Sequence, residues 1–216
     1  MGKPRSPKGR TKLTFERLTA MFPGNAQELC ELDFATPFQL LVATILSAQT
    51  TDVRVNATTP ALFARFPDAP SLAAADPGVV EDLIKPTGFY RNKTKSIIAM
   101  SSDVVTRFNG DVPHKMADLV TLHGVGRKTA NVVRSVAMNE PGFAVDTHVM
   151  RLTQRLGLTT QSEPVPIEAD VTRYLPARDW GAFSLRLILH GRRTCVARKP
   201  KCGECDLADF CPSAGV

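Results

Sequence analysis

Apolar positions along this chain recur at helical spacing, and no long alternating run of the kind that marks a strand occurs. The stretch LLVATILSAQ from Leu40 is apolar almost all round, the mark of a helix buried in a core. Its start is signalled by Thr36-Pro37-Phe38-Gln39, with a hydroxyl at the cap, proline at the first helical position and glutamine at the third. That is the spacing of a capping box. Further starts stand at Asp76-Pro77 and at Pro166-Ile167-Glu168. Helices are also predicted from Lys128 to Met138 and over THVMRLTQRLGL, directly behind Asp146. The pattern as a whole predicts an all-α protein without a fixed-period repeat. From Arg192 onward the periodicity fades, and a segment that small and polar cannot build a core of its own.

Composition narrows the class. With 216 residues, 43% of them hydrophobic, the chain can bury one good core or two modest ones. No apolar run approaches the roughly 20 residues of a membrane span. The stretch Met1–Lys12 lacks the apolar centre of a secretory signal, so a cytoplasmic protein with no membrane partner is expected. The net charge of +6 is unevenly placed: five basic residues lie in 1–12 and six in 186–201, with no acid in either stretch. These exceed the net charge, so the rest of the chain is acidic overall. Concentrated positive charge points to a polyanion partner; a solubilising tail plus a solvated face is the plainer alternative. Residues 1–12, with Pro4 and Pro7, are expected to be a flexible basic N-terminus. Nothing suggests an oligomer, so a monomer is expected.

Four cysteines explain what holds the C-terminal segment together. Cys195, Cys202, Cys205 and Cys211 are spaced C-x6-C-x2-C-x5-C, while Cys30 lies apart among apolar neighbours and reads as a small core residue. Nothing marks the chain as secreted, which argues against disulfides. Four thiolates can hold zinc or an iron–sulfur cluster. Zinc ribbons pair two CxxC knuckles and only Cys202/Cys205 forms one; the wider gaps suit a [4Fe–4S] cubane better, with zinc as the alternative. Lys199 and Lys201 would then sit on an exposed positive loop between the first two ligands, suited to DNA phosphates.

A second candidate site lies in LVTLHGVGRKTANVV. Gly124 can end one helix in a left-handed conformation, and Gly126 lets the backbone approach a partner closely. The next helix would then present its free N–H groups as an anion site. Leu122, His123, Gly124, Val125, Gly126 and Arg127 are therefore candidate DNA-binding residues of a helix–hairpin–helix, against the alternative of an ordinary turn. Lys128 follows at once. A basic residue there faces the positive end of the helix, which disfavours the ammonium form, and a free amine is a nucleophile. Asp146 is either a simple N-cap or a carboxylate facing developing positive charge at a sugar C1′. Lysine plus aspartate suits cleavage of an N-glycosidic bond through an oxocarbenium-like centre captured by the amine.

LHGVGRKTANVV, AVDTHVMR and LILHGRRTCVARKPKCGECDLADFC, together with LSAQTTDVRVN and GFYRNKTKSI, resemble the endonuclease III family of base-excision-repair DNA glycosylases. The resemblance covers about residues 15–211. It implies a two-lobed, all-α helix–hairpin–helix glycosylase fold. A six-helix barrel would span 30–140, and residues 13–29 with 141–216 would form a helical domain holding a [4Fe–4S] cluster on the four cysteines. It implies Lys128 as Schiff-base nucleophile and Asp146 as catalytic carboxylate. Gln49 would fill the gap left by a flipped nucleotide and Phe89 would be a wedge, a position that is often leucine. His123 stands where the family's hairpin usually has proline. His148 and His190 are read as structural rather than ligating. The activity implied is that of a bifunctional glycosylase and AP lyase acting on oxidised pyrimidines or abasic sites in double-stranded DNA. A monofunctional glycosylase, or a protein that only binds DNA, would be the alternatives.

Overall fold

The computed structural model describes residues 4–215, and every regular element among them is helical. The chain divides into two compact units, Cys30–Met138 and Met1–Leu29 with Asn139–Val216. The first helix, α1 (Pro7–Met21), belongs to the latter. Ser6 caps it by accepting from the Gly9 N–H at 3.2 Å, and Thr11, Thr14 and Leu18 are buried. The flexible N-terminus expected over 1–12 is thus corrected from Pro7 onward. Pro7 reads as a breaker in sequence, yet it occupies the first position of the helix, where its missing N–H costs nothing. Residues 1–3 lie outside the described residues.

The unit Cys30–Met138 is built around α2 (Pro37–Leu46), in which Phe38, Leu40, Leu41, Val42, Ala43, Ile45 and Leu46 are all buried. Thr36 Oγ1 accepts from the Gln39 N–H at 3.2 Å, but the Gln39 side chain reaches one residue past the cap, to the Ala35 N–H at 2.8 Å. The helices α3 (Asp52–Arg65), α4 (Ala69–Ala73) and α5 (Pro77–Ile84) follow, α5 with Asp76 at its cap as predicted. A 3-10 turn, Lys85–Thr87, leads into α6 (Tyr90–Phe108), and α7 (Met116–Leu119) and α8 (Arg127–Ala137) complete the unit. α2 packs against α3, α6 and α8. The unit thus holds seven α-helical segments among the described residues, α4 and α7 each about one turn long.

The other unit adds α9 (Thr147–Arg155), α10 (Pro164–Thr172) and α11 (Trp180–Arg193). α10 begins two residues before the predicted Pro166. Leu18, Phe143, Val149, Leu152, Ile167, Phe183 and Leu187 form the core, with Leu207 and Phe210 from the C-terminal segment. Arg186 is buried and donates to the Phe22 and Gly24 carbonyls at 3.0 and 2.8 Å, which ties α11 to the chain after α1. No described helix is long and apolar enough to cross a membrane.

Candidate active site

The hairpin between α7 and α8 is held from inside and open outside. Leu122 and Val125 are buried, and the Val125 N–H closes the turn on the Leu122 carbonyl at 3.1 Å. Their side chains anchor the hairpin, so they offer a partner only their backbone; His123, Gly124, Gly126 and Arg127 are exposed. Gly124 has φ +74°, and a Cβ there would lie 3.3 Å from Ser96, so the fold itself requires glycine. Gly126 is different. Its φ is −91°, and an added Cβ would meet nothing within 4 Å. Nothing inside the unit demands that glycine, as expected where backbone must be approached from outside. As the cap of α8 it brings no side chain to the first-turn N–H groups.

His123 is braced from α6. Its N–H donates to Asp103 Oδ2 at 3.0 Å, and its Nδ1 lies 2.7 Å from the same oxygen. Arg107, one turn along, donates to the Thr121 hydroxyl at 2.7 Å and carbonyl at 3.3 Å. Proline has no N–H to give, so histidine at 123 makes a tie that a proline there could not.

Lys128 is exposed in the first turn of α8. Asp146 caps α9: its Oδ1 accepts from the N–H groups of His148 at 2.8 Å and Val149 at 2.9 Å. The cap reading of Asp146 is therefore correct, and it leaves Oδ2 outside the capping geometry. Lys128 and Asp146 lie in different compact units.

Gln49 and Phe89 are brought together with the hairpin. Both line an open cavity of about 350 Å³ whose walls include Ala48, Asn92, Lys93, Ser96 and Gly124. Both residues have left-handed backbone, φ +56° and +49°, unusual for side chains of that size. Phe89 is 66% exposed, so it is no part of the core.

Cys195, Cys202, Cys205 and Cys211 line one cavity with Arg155, Leu156, His190 and Pro200. Burial pushes the Cys205 and Cys211 thiols up, and the neighbouring cysteines add to the shift. Four thiolates this close need a positive core to balance them, which an iron–sulfur cluster supplies. Zinc would draw all four sulfurs to about 2.3 Å from one ion. Among the described residues no group of three or more His, Cys, Asp or Glu side chains is disposed to hold a single ion. Charged donors surround the loop. Arg155 donates to the Val196 and Ala197 carbonyls at 2.9 Å, and Arg151 to the Cys195 carbonyl at 2.9 Å. His190 is buried, with Nε2 3.5 Å from Cys205 Sγ, and His148 Nδ1 lies 3.1 Å from Arg151; neither lines up as a ligand. Lys199 and Lys201 are exposed.

The family model for the HhH-GPD superfamily base excision DNA repair protein matches residues 42–177. The iron–sulfur binding domain of endonuclease III matches 195–211, from the first of the four cysteines to the last. An endonuclease III of Synechocystis sp. is 54% identical over 198 residues, covering 91% of this chain and 89% of its own. This chain belongs to the endonuclease III family. Two solved structures share its fold with a TM-score of 0.88, each pairing covering 96% of both chains. One, 36% identical, is a non-covalent endonuclease III–DNA complex; the other, 37% identical, is a trapped endonuclease III–DNA covalent intermediate. As in other endonuclease III proteins, the cofactor is a [4Fe–4S] cluster.

Sequence reasoning missed two groups beside these residues. The Asp103–Arg107 brace acts across about twenty residues of chain. Lys93 reads as a surface lysine among other basic residues, yet it is buried against the turns that carry Gln49 and Phe89.

Proposed function

We propose that the protein is a bifunctional DNA glycosylase and AP lyase of base-excision repair, releasing oxidised pyrimidines from double-stranded DNA and cleaving the resulting abasic site. The observation that carries this reading is the exposed Lys128 amine in the first turn of α8, directly behind the Gly124–Gly126 hairpin. As a free amine its Nζ attacks C1′ of the damaged nucleoside while the bond to the base nitrogen breaks. The base leaves with the bonding pair and takes up a proton. Asp146, whose carboxylate is held by two backbone N–H groups, stabilises the positive charge that builds on the sugar. Opening of the sugar ring gives a protonated Schiff base, which acidifies the C2′ proton. Removal of that proton expels the 3′ phosphate and breaks the strand; water then frees Lys128.

The other residues grip and shape the DNA. Backbone at Leu122, Gly124, Val125 and Gly126, with His123 and Arg127, holds a phosphate without reading sequence, and Lys199 and Lys201 add phosphate contacts. Gln49 and Phe89 offset the stacking lost when a nucleotide leaves the helix, worth a few kcal/mol. Cys195, Cys202, Cys205 and Cys211 hold the cluster, which stabilises the 195–211 segment and takes no part in the bond changes. The enzyme works as a monomer on the DNA of the cytoplasm. A duplex carrying one oxidised pyrimidine tests the reading: wild type should yield a nicked strand and Lys128→Ala none. Base release with the strand left whole in the wild-type protein would instead mark a monofunctional glycosylase.

A further inference from the structure

Lys93 is the least exposed cation among the described residues of its unit, at 5%, and no carboxylate among those residues pairs with it. Its Nζ donates to two backbone carbonyls instead, Leu46 and Thr87, each at 2.8 Å. A buried ammonium is costly unless its donors are satisfied, and burial accordingly pushes Lys93 below the ordinary lysine range. What it satisfies is informative. Leu46 is the last residue of α2, and Thr87 ends the 3-10 turn before α6. Carbonyls at helix ends lack intrahelical partners and carry the negative end of the dipole, so one cation closes both ends at once.

The two carbonyls also sit just ahead of the residues that matter. Leu46 precedes Gln49 by three residues, and Thr87 precedes Phe89 by two. The Lys93 backbone N–H adds a third tie, donating to the Phe89 carbonyl at 3.1 Å. Gln49 and Phe89 both hold left-handed backbone, which is unfavourable for residues with side chains and persists only where the surroundings fix it. Among the described residues no hydrogen bond links the chain between α2 and α3 to the chain between the 3-10 turn and α6; the Lys93 ammonium joins the two elements that lead into them.

We infer that Lys93 is a positioning residue that sets the separation and aim of Gln49 and Phe89, so that both enter the duplex together when a base is extruded. The inference rests on the gap-filling and wedge roles proposed above. Lys93 touches no substrate; it acts through the two turns. Base release needs a base to be driven out of the stack, whereas an existing abasic site has no base to extrude. The two activities therefore separate the role of Lys93 from general damage to the fold.

Lys93→Met removes the ammonium at nearly equal length. Single-turnover base release from an oxidised-pyrimidine duplex is expected to fall about 100-fold, the scale of a misplacement near 1 Å, while strand cleavage at a preformed abasic site changes little. A 2-aminopurine beside the lesion should brighten on binding wild type and stay dim with the variant. If the two rates are unchanged, or fall together, Lys93 has only a structural role and the inference is overturned. Should Lys93→Met fail to fold, Lys93→Gln, which keeps a donor but not the reach, is read by the same ratio. Gln49→Ala and Phe89→Ala belong in the same assay. If they leave base release intact, the gap-filling reading fails and this inference with it; if they lower it and Lys93→Met does not, this inference fails alone.

Discussion

Asp146 has two tasks, and two substitutions separate them. Its Oδ1 accepts from the His148 and Val149 N–H groups, so Asp146→Ala leaves two first-turn donors of α9 without a partner. Losing an N-cap of this kind costs about 1 kcal/mol, within a range of roughly 0.5–2. For a chain of this length about 1 kcal/mol lowers the melting temperature by roughly 2–4 °C. Asp146→Asn keeps an oxygen in the same place and caps as well as aspartate, so its melting temperature should match wild type. Both substitutions remove the negative charge that faces the developing sugar cation, a loss of about 100- to 1,000-fold in base release if Asp146 stabilises it as proposed. Thermal melts and single-turnover excision on the same preparations give the comparison. The expected result is two inactive variants of which only Asp146→Ala is less stable. An Asp146→Asn protein that turns over like wild type would reduce Asp146 to a helix cap.

The glycines of the hairpin should respond differently to alanine. Gly124→Ala meets Ser96 and a left-handed backbone, at about 1–2 kcal/mol of stability, whereas Gly126→Ala meets nothing inside the protein and should weaken DNA binding with little change in melting temperature. Equal DNA affinity in Gly126→Ala would argue against close backbone approach there. Burial alone raises the Asp103 carboxyl, but hydrogen bonds from His123 and the charge of Arg107 outweigh it and hold the carboxyl below the ordinary carboxylate range. A carboxyl lowered in this way stabilises the fold above its unfolded pKa of about 3.9, and the stabilisation is lost as pH falls through the folded value. Asp103→Asn should therefore melt lower than wild type at neutral pH, with the gap closing below about pH 4; a gap independent of pH would contradict the brace. Cys202→Ser should lose iron and its visible absorbance, and a colourless wild-type protein purified with zinc would overturn the cluster assignment.

What could be read from the sequence was what depends on near neighbours. Caps at Thr36, Asp76 and Asp146 announce themselves within three residues of the helices they start, and all three are in place. The four cysteines were legible because a metal imposes spacing. The N-terminal helix was not, since Pro4, Pro7 and five positive charges outweigh a burial pattern that only Thr11, Thr14 and Leu18 disclose. Phe89 shows the limit in the other direction: its type suggests the core, and only the fold reveals that its backbone turns it outward. Lys93 and the Asp103–His123 pair could not be found at all from local pattern, because their partners are set by how helices pack.

If Lys128 forms a covalent bond with the sugar of damaged DNA, borohydride reduction of the Schiff base traps it. Wild-type protein mixed with abasic duplex and borohydride should give a protein–DNA adduct that survives denaturation, attached at Lys128 when digested and sequenced by mass. The Lys128→Ala protein, still binding the same duplex, should give none. A wild-type protein that never forms the adduct, or one whose adduct maps to another amine, would rule out Lys128 as the nucleophile.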